Sequence, residues 1–218
     1  SDEVTEQLFG SLERALARGG EVRILYDAFG SLFLRRRYFK RLILDGAKVA
    51  GFLPFSFLPQ RLYPNFRNHR KILLIDGVTA FTGGTNIGKE YLGKRSDKSW
   101  RDITVQVTGP VVLPLHDVFA RDWFFTTEED LFREKYFPNG SAVGEEYIQV
   151  LESGPDSVFS AIHNAIFLAI TTAKKSIHLT TPYFVVDSAM TSALTVAAQR
   201  GVEVTLLLPE KTDAPVVR

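Results

Sequence analysis

The sequence predicts an α/β fold: a mixed, largely parallel central sheet flanked by helices, followed by the start of a second, similar unit. Three observations predict it. Apolar stretches of strand character alternate with stretches of helical periodicity along the chain. A composition of 45% hydrophobic and 23% charged residues over 218 positions supplies enough chain and apolar surface for a packed core. The stretch Leu12–Tyr26 recurs as Leu194–Leu208, at a shift of 182 residues.

Taken in order, Glu3–Arg18 carries Leu8, Leu12, Ala15 and Leu16 at helical spacing and stops at Gly19-Gly20. Glu21–Tyr26 reads as a strand turned by Asp27 and Gly30. Leu32–Leu44 reads as a basic helix ended by Asp45-Gly46, and Lys48–Leu53 as a short strand. Ile72–Ile75 and Val78–Thr82 form a hairpin around Asp76-Gly77. Ile103–Thr108 alternates as a strand should. Helices are expected at Val111–Phe125 and Val158–Lys175, then strand Ser176–Phe184, helix Ser188–Arg200 and strand Val202–Leu208.

The repeat pairs Leu12 with Leu194, Ala15 with Ala197, Arg18 with Arg200, Gly19 with Gly201, Glu21 with Glu203, Val22 with Val204 and Leu25 with Leu207. Strand Ser176–Phe184 then has its first-copy counterpart before Ser1, and the residues beyond Asp27 in the first copy have their counterparts after Arg218. The chain is expected to be a window on a longer two-lobed protein. Residues 1–145 form the first lobe, lacking its first strand, and 146–218 begin the second.

Composition narrows the chemistry. No cysteine is present, which excludes disulfides, cysteine zinc sites, a thiol nucleophile and iron–sulfur clusters. A net charge of +1 argues against a chain-wide nucleic-acid coat. The longest apolar run, Ala165–Ile170, is far short of the ~20 residues of a membrane span. No basic-then-apolar leader opens the chain, so the piece itself reads as soluble. Charge is unevenly placed: Ser31 to Lys71 has ten basic residues against Asp45, and Asp122 to Asp156 has nine acids against Arg133 and Lys135. Either the basic segment faces an anionic partner or the two stretches neutralise each other.

The chemical signal is Asn68-His69-Arg70-Lys71-Ile72-Leu73-Leu74-Ile75-Asp76, followed by Gly83-Gly84-Thr85-Asn86. Side chains at i and i+2 of a strand share a face, so His69 and Lys71 project together. An imidazole that titrates near neutrality beside a fixed cation suits attack on a phosphodiester, with His69 as nucleophile or proton carrier and Lys71 on the phosphoryl oxygens. Asp76 closes the strand at a turn. Gly83 and Gly84 let backbone approach an anion, and Asn86 can donate an amide N–H to it.

His-x-Lys-x4-Asp-x6-Gly-Gly-x-Asn resembles the signature of the phospholipase D superfamily. Arg67-Asn68-His69-Arg70-Lys71, Phe81-Thr82-Gly83-Gly84-Thr85-Asn86-Ile87-Gly88, Trp100-Arg101-Asp102 and Thr181-Pro182-Tyr183-Phe184 resemble its bacterial cardiolipin synthases. That resemblance implies a phospholipase D-like lobe in which His69 becomes a phosphohistidine, Lys71 and Asn86 hold the phosphate and Asp102 orients the imidazole. As part of the motif Asp76 is counted with His69 and Lys71 among the catalytic residues, though its place at a turn suits a structural role. The implied reaction joins two phosphatidylglycerols into cardiolipin with release of glycerol, at a bacterial cell membrane, without metal or other cofactor. His116, His163 and His178 are scattered and form no metal cluster. Members of the family carry two such motifs facing each other; one is present here, so half of the site is expected from a second lobe or a homodimer partner, and the isolated chain is expected to be inactive. The two membrane-spanning segments of the family are likewise expected to lie outside this chain.

Gly51–Phe66 interleaves Phe52, Phe55, Phe57, Tyr63 and Phe66 with Pro54, Pro59 and Pro64, flanked by Arg61 and Arg67. The prolines forbid a regular helix or central strand, so these aromatics lie on a loop. Phe52, Phe55, Phe57 and Arg67 suit contact with a lipid headgroup–acyl boundary; the alternative is a loop folded back over the core. Two other functional readings stay open. One is a single-motif phosphodiesterase or nuclease completed by homodimerisation, its basic stretch tracking a nucleic-acid backbone; the other is a non-catalytic lipid-binding fragment. The aromatic loop and the second repeat copy favour the lipid enzyme, with no nucleic acid expected.

Overall fold

The computed structural model describes residues 3–28, 30–31, 36–52, 67–91, 100–138, 141, 144–154 and 160–210. Helix α1 (Glu3–Ala17) leads into strand β1 (Arg23–Asp27), helix α2 (Arg36–Leu44) and strand β2 (Lys48–Phe52). The two strands pair in parallel, with Arg23 opposite Lys48 and Asp27 opposite Phe52. Both faces of this pair are covered. Ile24, Tyr26 and Val49 join Phe9, Phe39 and Leu42 under α1 and α2. Leu25 and Ala50 turn the other way, toward Trp123 and Ala120 of helix α3 (Val112–Thr127). Burial on both sides explains why Ile24, Leu25 and Tyr26 form an unbroken apolar run.

Strands β3 (Ile72–Ile75), β4 (Thr79–Gly83) and β5 (Thr104–Thr108) form an antiparallel meander. Leu74, Ala80 and Val107 lie in one cross-strand row and pack with Val112 and Leu115 of α3. The predicted hairpin is present around Asp76-Gly77. Its strand bonding leaves Val78 as an extra residue, because Ile75 pairs with Thr79 while Val78 donates its N–H to the Ile75 carbonyl. The chain therefore contains both parallel and antiparallel ladders.

Residues 1–150 and 151–218 form separate compact units. The second holds α4 (Ala161–Thr172), β6 (Ser176–Thr180), α5 (Ser188–Gln199) and β7 (Glu203–Leu207), with β6 parallel to β7. Its core is Ile170, Ile177, Met190, Ala193, Leu194, Ala197 and Val202. Strand β6 ends before Pro182, earlier than predicted, since proline has no N–H to continue a ladder. Asp187 caps α5 by accepting the Met190 N–H at 2.8 Å. Arg200 donates to the Thr171 carbonyl at 2.8 Å and so satisfies the end of α4.

The repeated stretches adopt the same local structure. At the end of α1, Gly19 donates to Leu16 and Gly20 to Ala15; at the end of α5, Gly201 donates to Ala198 and Val202 to Ala197. The two glycines have φ of 84° and 86°. Each is the left-handed residue of a Schellman cap, where a side chain would clash with its own backbone. Among the described residues, no helix is long and apolar enough to cross a membrane.

Candidate active site

The site is built where β1 ends and β3 is about to begin. Asp27, the last residue of β1, accepts the Gly30 N–H at 2.7 Å and the Asn68 N–H at 3.2 Å. Asn68 donates its side-chain amide to Asp122 of α3 at 2.8 Å and accepts the Arg70 N–H at 3.0 Å. The Arg70 guanidinium lies 2.6 and 2.8 Å from the two Asp122 carboxylate oxygens. His69 is thus held between two residues tied to α3. Asn68 and Arg70 both reach Asp122 of α3, while His69 between them makes no side-chain bond to that helix. His69 is exposed, and its imidazole has no hydrogen bond to any described residue. The Lys71 ammonium donates to the His69 carbonyl at 2.9 Å, so the cation stays beside the histidine.

Ile72 pairs with Thr82, and Gly83 with Thr104, so the ladder continued by one residue sets Lys71 opposite Gly83. Thr104 donates its hydroxyl to that of Thr85 at 2.8 Å. Asn86 donates its amide to the Tyr91 hydroxyl at 3.1 Å. Tyr91 lies in the 3-10 turn Lys89–Tyr91 and meets Trp100 edge-on, with ring centres 5.5 Å apart. Asp102 stands beside Gly84, and its carboxylate accepts the Ile103 N–H at 2.7 Å. A β-carbon at 84 would overlap that carboxylate, and one at 83 would overlap the Ile103 carbonyl. No hydrogen bond joins Asp102 to His69 among the described residues.

Asp76 lies at the opposite end of β3 from His69, in the hairpin turn with φ 52°. Gly77 beside it packs against Pro138 and the Tyr136 carbonyl. Phe52, ending β2, contacts Phe125 of α3 at a ring distance of 5.6 Å. Phe55 and Phe57 lie outside the described residues, and Arg67 is half-buried just ahead of Asn68. The remaining histidines stand apart. His116 is buried in α3 and stacks on Phe137 at 4.3 Å, His163 pairs with Asp187 at 2.7 Å, and His178 is exposed on β6. No group of three metal-ligating side chains forms among the described residues.

A charged cluster ties the other end of β1 and β2 to the segment after α3. Arg23 and Lys48 each donate to Glu129 at 2.8 Å, and Trp123 donates to its other oxygen at 3.1 Å. Arg23, Lys135 and Tyr136 all donate to Glu21. The Lys135 ammonium, with Tyr136 and Arg23, holds the Glu21 carboxyl down at about 2. Hydrogen bonding from Arg23, then from Lys48 and Trp123, does the same for Glu129, also to about 2. Sequence reading placed Asp27 only at a turn and missed its bond to Asn68, the role of Asp122 and this cluster. The bonds Asp27–Asn68, Asn68–Asp122, Arg23–Glu129, Lys48–Glu129 and Lys135–Glu21 join residues far apart in the chain.

Fold and motif together define a phospholipase D-like lobe. The family described as "Cardiolipin synthase, PLD-like domain" matches residues 4–123 and 166–218, and the chain belongs to that family. It is 41% identical over 219 residues to cardiolipin synthase A of Pseudomonas fluorescens (strain SBW25), covering 99% of this chain and 45% of that protein. It is 38% identical over 217 residues to the cardiolipin synthase of Listeria innocua, covering 98% and 45%. The major cardiolipin synthase of Bacillus subtilis (strain 168) is 36% identical, with 97% and 45% covered. The chain therefore spans about half the length of the curated relatives it matches. Among solved structures, phosphatidylserine synthase of Haemophilus influenzae Rd KW20 superposes with a TM-score of 0.65 at 16% identity, covering 96% of this chain and 54% of that one. At that identity the likeness speaks to the fold alone.

Proposed function

We propose that this chain supplies one half of a cardiolipin-forming phosphatidyltransferase. Residues 1–145 are its first lobe and 146–218 the beginning of a second. One imidazole nitrogen of His69 attacks the phosphorus of a phosphatidylglycerol; a nitrogen–phosphorus bond forms, the bond to the headgroup glycerol breaks, and glycerol leaves with a proton. A hydroxyl of a second phosphatidylglycerol then attacks the phosphorus, gives up its proton and releases cardiolipin, returning His69 to its free state. Lys71 offsets charge on the phosphoryl oxygens, Asn86 donates to one of them, and Asp102 and the Gly83-Gly84 corner shape the phosphate side of the site. Asp76 closes the hairpin.

The observation that carries this reading is the His69–Lys71 pair at the base of the hairpin that bears Gly83-Gly84 and Asn86, in a chain whose relatives bear the name cardiolipin synthase. The proton for the leaving glycerol comes from a second half-site, provided by a second lobe or a homodimer partner, because no other described histidine stands in such a setting. The setting is a bacterial membrane surface, with Phe52, Phe55, Phe57 and Arg67 in contact with lipid and no nucleic acid involved. No step calls for a metal or other cofactor. The test is cardiolipin formation from phosphatidylglycerol vesicles by the intact protein that carries this segment, beside the 218-residue chain alone. Turnover by the first and none by the monomeric second is expected. Robust turnover by the monomeric chain would contradict the half-site, and hydrolysis of oligonucleotides in place of lipid would contradict the substrate class.

A further inference from the structure

We infer that Asp122 is the positioning residue of His69, acting through Asn68 and Arg70; this rests on the reading of His69 as nucleophile. Residues 67–71 belong to no strand, and the β3 ladder begins only at Ile72. Among the described residues, the backbone around His69 therefore takes part in no strand ladder. Side-chain bonds take that role. Asp122 accepts from the Asn68 amide at 2.8 Å and from Arg70 at 2.6 and 2.8 Å, one residue on each side of His69. The Asn68 side-chain oxygen accepts the Arg70 N–H, which closes a ring of contacts around the His69 backbone. Asp27 adds an independent anchor from the end of β1 through the Asn68 N–H.

Asp122 is well placed for the task. It stands on α3 next to Trp123, one of the most deeply buried side chains, so its own backbone is rigid. The Asp122 side chain is only 15% exposed, which limits competition from water for the Asn68 and Arg70 donors. A carboxylate is required because both partners are donors. An asparagine there offers a single acceptor oxygen and turns an N–H group toward one of the two donors.

The experiment compares Asp122→Asn, Asp122→Glu and His69→Asn in the intact protein with phosphatidylglycerol vesicles. Asp122→Asn is expected to lower kcat and the rate of phospho-enzyme formation together, by roughly 10- to 100-fold, the scale of a misplacement near 1 Å. KM should stay nearly unchanged, since the lipid does not touch Asp122, and Asp122→Glu should recover part of the loss. Asp117→Asn, five residues earlier on α3 and paired with Arg121 at 2.7 Å, should behave as wild type. An unchanged kcat, or a raised KM with kcat intact, overturns the inference. If Asp122→Asn fails to fold, Arg70→Gln and Asn68→Ala each remove one arm and must show the same loss of kcat; normal kcat in both overturns it equally. If His69→Asn still forms phospho-enzyme, the nucleophile reading fails and this inference falls with it. If His69→Asn is inactive and Asp122→Asn is normal, only the positioning role fails.

Discussion

The carboxylate of Asp102 occupies the space that a β-carbon on Gly84 would fill. The two residues meet where β4 leaves its ladder with β5, and the Gly84 N–H donates to the Ile103 carbonyl at 3.1 Å. The Gly83-Gly84 pair thus answers a packing demand on this chain itself, besides any approach to an anion. Backbone atoms of β5 cannot withdraw without breaking the ladder, whereas the Asp102 side chain can turn aside.

Gly84→Ala is therefore expected to destabilise the fold by about 1–3 kcal/mol, the range for forcing atoms into an occupied site, and to reduce turnover at the same time. Adding Asp102→Ala should restore part of the stability and none of the turnover. Thermal unfolding of the single and double variants measures the first effect, and the vesicle assay the second.

Gly19→Ala and Gly201→Ala test the repeated helix caps. Nothing lies within 4 Å of a β-carbon at either position, so the whole cost is that of a left-handed alanine, about 1–2 kcal/mol. The two losses should be nearly equal when read by denaturant unfolding, each followed in its own compact unit.

Those caps were legible in the sequence because a helix, a glycine and a strand follow one another within a few residues. The hairpin at Asp76-Gly77 and the His69–Lys71 spacing were legible for the same reason. The uneven charge was visible as a pattern but not in its pairing. Of the basic stretch, Arg70 pairs with Asp122 and Lys48 with Glu129, both acids of the later stretch, while Arg41 pairs with Glu13. At Arg70 and Lys48 the two stretches neutralise each other. The partners lie 52 and 81 residues apart, a separation that no local signal spans. The burial of His116 was hidden likewise, since Phe137, which stacks on it, lies beyond the end of α3.

Stability should fall with acid in two stages. Burial, above all, lowers the His116 pKa from its ordinary 6.5, with a hydrogen bond at the Tyr136 backbone and the Asp117 charge opposing. Below about pH 6.5 the unfolded chain takes up this proton before the folded one does, so stability present above that pH begins to be lost. Glu21 and Glu129, held at about 2 against an ordinary 4.5, contribute stability that is complete above pH 4.5 and lost as pH falls through about 2. Unfolding followed against pH should show both stages, and His116→Phe should remove the first alone.

The aspartates of the motif region should separate by position. Asp76→Asn leaves a residue that tolerates the left-handed turn, far from His69, and turnover is expected to stay within a few-fold of wild type. Asp102→Asn, beside Gly84, should cost more. A comparison of kcat for the two variants checks this, and the reverse order would mean that the turn aspartate serves the chemistry.

The most direct test of the account is the chemical state of His69 during turnover. Rapid quenching of the intact protein with labelled phosphatidylglycerol should trap an acid-labile, base-stable adduct, and mass analysis of the peptide containing Asn68-His69-Arg70 should place it on His69. His69→Asn should abolish the adduct and lower turnover by several powers of ten. An adduct on another residue, or undiminished labelling in His69→Asn, would contradict the account.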